Sequence, residues 1–134
     1  MGMIDLKDKK IFAVLCEPGE NWKENAPVSD QDLDNHIAYL EKLKADNILV
    51  MAGPFMDNTG GEYVIVAKNQ KEAEAIVTQD PGYQAKILAP SVHEWYLAVK
   101  SPQMLMSIMG SPIAGQNVGN SGGGVRTGSG RNGG

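Results

Sequence analysis

Two short runs constrain this chain more than anything else in it. Lys10–Glu17 reads KIFAVLCE and Glu62–Lys68 reads EYVIVAK, and both have the length, turn-rich flanks and residue types of β-strands. Alternate residues of a strand face opposite ways. In the first run Ile11, Ala13 and Leu15 oppose Phe12, Val14 and Cys16. In the second, Val64 and Val66 oppose Tyr63, Ile65 and Ala67. Both faces are apolar, so both faces of the sheet that holds these strands must be covered.

The remaining elements follow from local signals. Pro18-Gly19 ends the first strand, and residues 18–29 form a polar loop carrying Trp22. Ser29, with Asp32 three residues on, reads as a helix N-cap in an acidic variant of the capping box. Asp30, Asp32 and Asp34 crowd that first turn, where the helix dipole favours them. Leu33, Ile37, Leu40 and Leu43 then form the stripe of an amphipathic helix ending near Asp46-Asn47. Ile48–Met56 is a second strand broken by Gly53-Pro54, and Asp57–Gly61 (DNTGG) is a hairpin-type connection. Asn69 with Glu72 caps a second helix with Ala73, Ile76 and Val77 inward, stopped by Pro81. Ser91–Val99 alternates as a fourth strand. The order βαββαβ is the α+β, ferredoxin-like plan. Its two helices cover one sheet face, so a second copy is expected to cover the other. This predicts a homodimer with its sheets face to face, a dimeric α/β barrel.

Length and charge narrow the function classes. The chain has 134 residues, 42% of them hydrophobic, which suits one domain. That domain is expected over residues 1–100. Beyond it, Met104, Leu105, Met106, Ile108 and Met109 form a sticky segment, and ten of the sixteen glycines lie after residue 109. Such a Gly/Ser/Asn-rich tail cannot offset its ordering entropy by burial. Residues 1–100 hold ten lysines and sixteen carboxylates, a net charge of −6, and no arginine. That surface repels nucleic acid, which needs a basic footprint. No stretch is long and apolar enough for a membrane span, and the N-terminus lacks the apolar region of a signal peptide. One cysteine needs no oxidising compartment. A cytoplasmic setting is expected.

Two residues stand out as carriers of chemistry. His36 lies three residues after Leu33, four before Leu40 and seven before Leu43, so its imidazole falls on the inward stripe. Asp80 lies seven after Ala73 and four after Ile76, on the inward stripe of the second helix. A carboxylate at a helix C-terminus is disfavoured by ~0.3–1 kcal/mol, and a broken local rule marks a functional position. Each has a plain structural alternative: a buried histidine satisfied by a backbone carbonyl, and an Asp-Pro helix stop. Taken together, a neutral imidazole beside a buried carboxylate is a general acid/base pair. Gly53, with no side chain, lets a ligand approach the backbone beside Pro54. Tyr83 is a candidate for the pocket lining. His93 and Trp95 share one face of the fourth strand with Leu97, as ordinary sheet packing or as a cleft wall. Cys16 reads as core filler. His36, Asp80 and His93 lack any metal-ligand spacing, there is no phosphate-binding loop, and neither a metal nor a cofactor is expected.

The inward His36, followed by Met51-Ala52-Gly53-Pro54-Phe55 and then Asp80-Pro81, resembles the YCII-related family over about residues 10–99. The resemblance implies a ferredoxin-like α+β domain that dimerises through its sheets, similar to muconolactone isomerase. It also implies a His–Asp pair in a cleft, at His36 and Asp80. At least one relative eliminates chloride from a hydroxylated aromatic, while most members have no assigned reaction. The chain departs from the pattern in its longer loop at 18–29 and in its tail. The leading expectation is a small cofactor-independent lyase or isomerase acting on a small carbonyl or ring-derived metabolite. The alternative is a non-catalytic dimeric ligand-binding or assembly module whose tail docks on a neighbouring subunit. A monooxygenase on a similar barrel has no positive signature.

Overall fold

The two strands that are apolar on both sides, β1 (Lys10–Pro18) and β3 (Gly61–Ala67), lie next to each other at the centre of an antiparallel sheet in the computed structural model, which describes residues 6–104. With β2 (Leu49–Pro54) and β4 (Leu88–Glu94) at the edges, the strand order is β2-β3-β1-β4. Helices α1 (Asp34–Ala45) and α2 (Gln70–Thr78) and a short α3 (Pro81–Gln84) complete the element order. This is the ferredoxin-like α+β fold.

Burial follows the pleat in β1, whereas β3 is buried on both sides, with Val64 3% and Val66 2% exposed. Phe12, Val14 and Cys16 from β1 and Tyr63, Ile65 and Ala67 from β3 form one core with Leu33, Leu43, Ala73, Val77, Ile87 and Leu88 from the helical side. The opposite face carries Ile11 and Ala13 beside Val66 and Val64, with Met51 and His93 flanking Val64 and Ala13 across the ladder. Strand alternation thus sorts one apolar set to the helices and the other away from them.

α2 forms as its caps demand. The Asn69 side chain accepts from the Glu72 N–H at 2.8 Å, and the Glu72 carboxylate accepts from the Lys68 N–H at 2.7 Å. Ala73 and Val77 are buried and Ile76 packs against the core. The Tyr39 hydroxyl donates to the Ile76 carbonyl at 2.6 Å and ties α1 to α2.

Four local expectations are corrected. Ser29 does not cap α1: Val28–Asp30 form a 3-10 turn, and α1 begins after Leu33 without a side-chain cap. The Gln31 amide takes up the polar groups of the preceding loop instead, accepting from the Lys23 N–H and donating to the Lys23 and Ala26 carbonyls. Ile37 is 54% exposed, because the buried line of α1 runs through Leu33, His36, Leu40 and Leu43. Gly53-Pro54 does not break β2, since both residues pair with β3, and the irregularity is a bulge between Leu49 and Met51. Finally, β4 starts at Leu88 and ends at Glu94, as its ladder with β1 runs only from Pro18 to Phe12. Trp95 and Leu97 therefore lie beyond the strand.

Among the described residues, those up to Tyr96 form one unit and those from Leu97 belong to another. In the described part of the second, the Lys100 ammonium donates to the Leu97 carbonyl and the Met104 N–H to the Ser101 hydroxyl. The methionine-rich residues after Met104 and the Gly-rich tail lie outside the described residues. Among the described residues, no helix is long and apolar enough to cross a membrane.

Two glycines of the β2–β3 hairpin separate packing from tolerance. Gly60 has φ +119°, and a Cβ there would strike the Cys16 carbonyl, whereas a Cβ on Gly53 would meet no atom within 4 Å. We expect Gly60→Ala to cost at least about 2 kcal/mol and Gly53→Ala less than about 1 kcal/mol, measured by urea unfolding.

Candidate active site

His36 sits in the first turns of α1, where Leu33, Leu40 and Leu43 press that face toward the sheet. Its side chain is 11% exposed. Asp80 follows α2 and is 1% exposed. The Asp80 carboxylate stands against the ring at 2.7 Å (Oδ2) and 2.9 Å (Oδ1) from Nδ1. A carboxylate only accepts, so Nδ1 carries the hydrogen and, in the neutral ring, Nε2 presents its lone pair. Nε2 has no partner among the described residues.

The sequence places Asp80 at a disfavoured helix C-terminus, and the structure corrects this. Asp80 is the N-cap of α3: Pro81 is the first helical residue, and Asp80 Oδ1 accepts from the Gly82 N–H at 2.8 Å. A carboxylate suits that position. The pair therefore forms between α1 and the start of α3, not between two facing helix stripes. Gly82 is what allows the approach. A Cβ there would lie 3.2 Å from His36 Cβ, 3.3 Å from Asp80 Oδ1 and 3.0 Å from Leu88 Cδ1.

The imidazole borders a cavity of about 450 Å³ between α1, β2, the loop after β1 and the start of β3. Trp22, Leu33, Leu40 and Leu49 supply apolar wall, and Cys16 and Tyr63 rise from the sheet. Its charged lining residues are Glu41, Lys44 and Glu62, and the Lys44 ammonium is held 2.6 Å from Glu41. The loop that carries Trp22 is pinned at several points. Gly19 and Asn21 donate to the Ile87 and Lys86 carbonyls at 2.8 Å each, Gln31 clamps its middle, and the Val28 N–H donates to Asn58 at 3.1 Å. It is a built wall.

Gly53 and Pro54 line the cavity. Tyr83, His93 and Trp95 do not. Tyr83 is 41% exposed on the outer side of α3. His93 pairs with Ala13, on the sheet face away from the helices, and its Nε2 lies 3.0 Å from the Ser91 hydroxyl. Trp95 follows β4, where its N–H donates to the Ile11 carbonyl. The early end of β4 separates Trp95 from the imidazole, the face of the sheet separates His93, and Tyr83 is exposed on α3. His36, Asp80 and His93 thus do not converge, and among the described residues no group of three His, Cys, Asp or Glu is placed to hold a metal ion.

Two groups that sequence reasoning left in the core gain interest here. Burial, and secondarily the Asp80 charge, push the Cys16 thiol up to about 12 from 9.0. The same causes raise the Tyr63 phenol well above its ordinary value, with smaller contributions from Cys16 and Tyr39. The Tyr63 hydroxyl is buried and has no hydrogen-bond partner. A lone phenol in an otherwise aliphatic strand was the available signal, because a buried hydroxyl needs a partner.

Fold and site together define a ferredoxin-like α+β domain with a histidine–carboxylate pair at the edge of a sheet–helix cavity. Residues 11–95 match the YCII-related domain, and the chain belongs to that family. It is similar to the uncharacterized protein YjpA of Bacillus subtilis (strain 168), at 36% identity over 69 residues, 52% of this chain and 81% of YjpA. Among solved structures it is similar to 5-chloro-2-hydroxyhydroquinone dehydrochlorinase (TftG) from Burkholderia phenoliruptrix AC1100, in complex with 2,5-dihydroxybenzoquinone. That likeness has a TM-score of 0.49 and 24% sequence identity, and covers 64% of this chain and 93% of that one.

Removing the Asp80 carboxylate strands both the Gly82 N–H and the His36 ring, so Asp80→Ala is expected to cost about 2–4 kcal/mol in urea unfolding. Asp80→Asn, which keeps an acceptor, should cost less. A thiol whose value is raised on folding adds stability at pH below 9.0 and loses it as pH climbs toward about 12. The unfolding midpoint should fall across that alkaline window, and Cys16→Ala should flatten part of the decline.

Proposed function

We propose that this cavity is the active site of a small acid/base enzyme, of lyase or isomerase type, acting on a small carbonyl or ring-derived molecule. The observation that carries this reading is an imidazole held by a buried carboxylate through Nδ1, with Nε2 unpartnered at the edge of an apolar cavity. His36 is the proton-transfer group. Asp80 sets its tautomer and orientation and favours the imidazolium that forms when Nε2 takes a proton. Gly53 and Pro54 form backbone wall for the bound molecule. A lyase expels a leaving group from the resulting anion, and an isomerase returns the proton at another carbon. All the proton-transfer groups are the chain's own, so the reading invokes no cofactor.

We further propose that the functional unit is a homodimer, its sheets packed face to face through the surface of Ile11, Ala13 and Leu15. The apolar character of both faces of β1 and β3 supports this. A single buried cysteine suits a reducing cytoplasm.

A thermal-shift screen of ring carbonyl compounds, run on the wild type and on His36→Ala, tests the enzyme reading. We expect a compound that raises the unfolding temperature of the wild type only. In deuterated solvent, the wild type should exchange a carbon-bound hydrogen of that compound at least about a hundredfold faster than His36→Ala. A compound that stabilises both proteins equally and exchanges with neither would replace the enzyme by a ligand-binding module. For the dimer, sedimentation of the wild type should give twice the mass of the chain, and Leu15→Lys should shift it toward monomer.

A further inference from the structure

We infer that the Tyr63 hydroxyl is the cavity's hydrogen-bond donor to a ligand oxygen, and that the ligand is a small uncharged molecule carrying a carbonyl or phenolic oxygen next to the carbon that His36 addresses. This deepens the acid/base reading above and rests on it. Tyr63 stands on the helix-facing side of β3, is 1% exposed, and lines the same cavity as His36. The two ring centroids are 6.1 Å apart, inclined at 54°, so the two side chains belong to one part of the cavity wall.

The hydroxyl is the anomaly. Among the described residues it is the buried side-chain polar atom without a hydrogen-bond partner, whereas the neighbouring Tyr39 hydroxyl is bonded to the Ile76 carbonyl. Phenylalanine would fill the same space without leaving a donor unmet, and an unmet donor weakens the fold. Burial and the Asp80 charge keep the phenol protonated, so it donates a hydrogen bond and keeps its own proton.

The chemistry closes without a co-reactant. When Nε2 of His36 takes a proton from the carbon beside a carbonyl, the C–H bond breaks and an N–H bond forms. The C–H electron pair becomes a C=C bond, and the carbonyl π pair moves onto oxygen. That oxygen gains charge, and the Tyr63 O–H opposite it strengthens its hydrogen bond in a mainly apolar site. The lining supports an uncharged ligand. Glu62 repels carboxylates and phosphates, and Lys44 and Glu41 neutralise each other as an ion pair.

Two probes of equal shape test this: cyclohexanone, with an acceptor oxygen, and methylenecyclohexane, without one. Their affinities are measured by NMR titration on the wild type, Tyr63→Phe and His36→Ala, alongside each unfolding midpoint. We expect Tyr63→Phe to lose about tenfold in affinity for cyclohexanone, none for methylenecyclohexane, and nothing in midpoint. Equal cyclohexanone binding by Tyr63→Phe and wild type overturns the inference. So does a lowered midpoint with both probes weakened alike, which would make the hydroxyl structural, or no saturable binding of cyclohexanone by the wild type. The His36→Ala arm separates the two readings. A variant that keeps the tenfold preference set by Tyr63 upholds the donor, and failure of the enzyme reading is then read from hydrogen exchange alone.

Discussion

A carboxylate taken out of water must find hydrogen-bond donors or lose its charge, and Asp80 finds them on two different elements. The Gly82 N–H comes from its own short helix, and the Nδ1–H comes from His36 on α1. One buried side chain therefore stops the segment after α2, starts α3, and fixes the angle of an imidazole contributed by a helix far away in sequence. Gly82 is the geometric condition for it, because any Cβ there would press on His36, Leu88 and the carboxylate at once. The site is built into the packing.

The cavity beside this pair owes its shape to the loop after β1. Polar as that loop is, its backbone groups are met by the α3–β4 connection, by the Gln31 amide and by Asn58. That satisfaction holds Trp22 and Val28 as wall. The sheet divides the molecule's tasks. Its helical face carries the thiol and the phenol, beside the imidazole that α1 supplies, and its other face carries aliphatic side chains with His93.

Legibility in the sequence tracked the range of the interaction involved. The α2 cap was readable because Asn69 and Glu72 meet within one turn. The inward direction of His36 was readable from three leucines at helical spacing. Ser29 misled because a good capping residue competed with Pro27, which starts a 3-10 turn, and with a loop closed by Gln31. Asp80 was singled out for a local reason that does not hold: it caps a new helix where it looked like a misplaced terminus. It nevertheless contacts His36, since a buried carboxylate and an inward imidazole on the same side of one sheet seek each other. Trp95 was lost to a strand boundary, and His93 to the face on which that strand's register placed it.

The amino-acid order alone determined the strand pair that is apolar on both sides, the βαββαβ succession, the inward imidazole and the acidic, arginine-free domain. These rest on periodicity and on contacts a few residues long, which any stretch of chain carries with it. Only the tertiary structure decided that Asp80 reaches His36 across 44 residues, that Tyr63 keeps an unmet donor, and that Gln31 holds the loop. Each depends on where separate elements come to rest against one another, and that placement is set by the packing of the whole core.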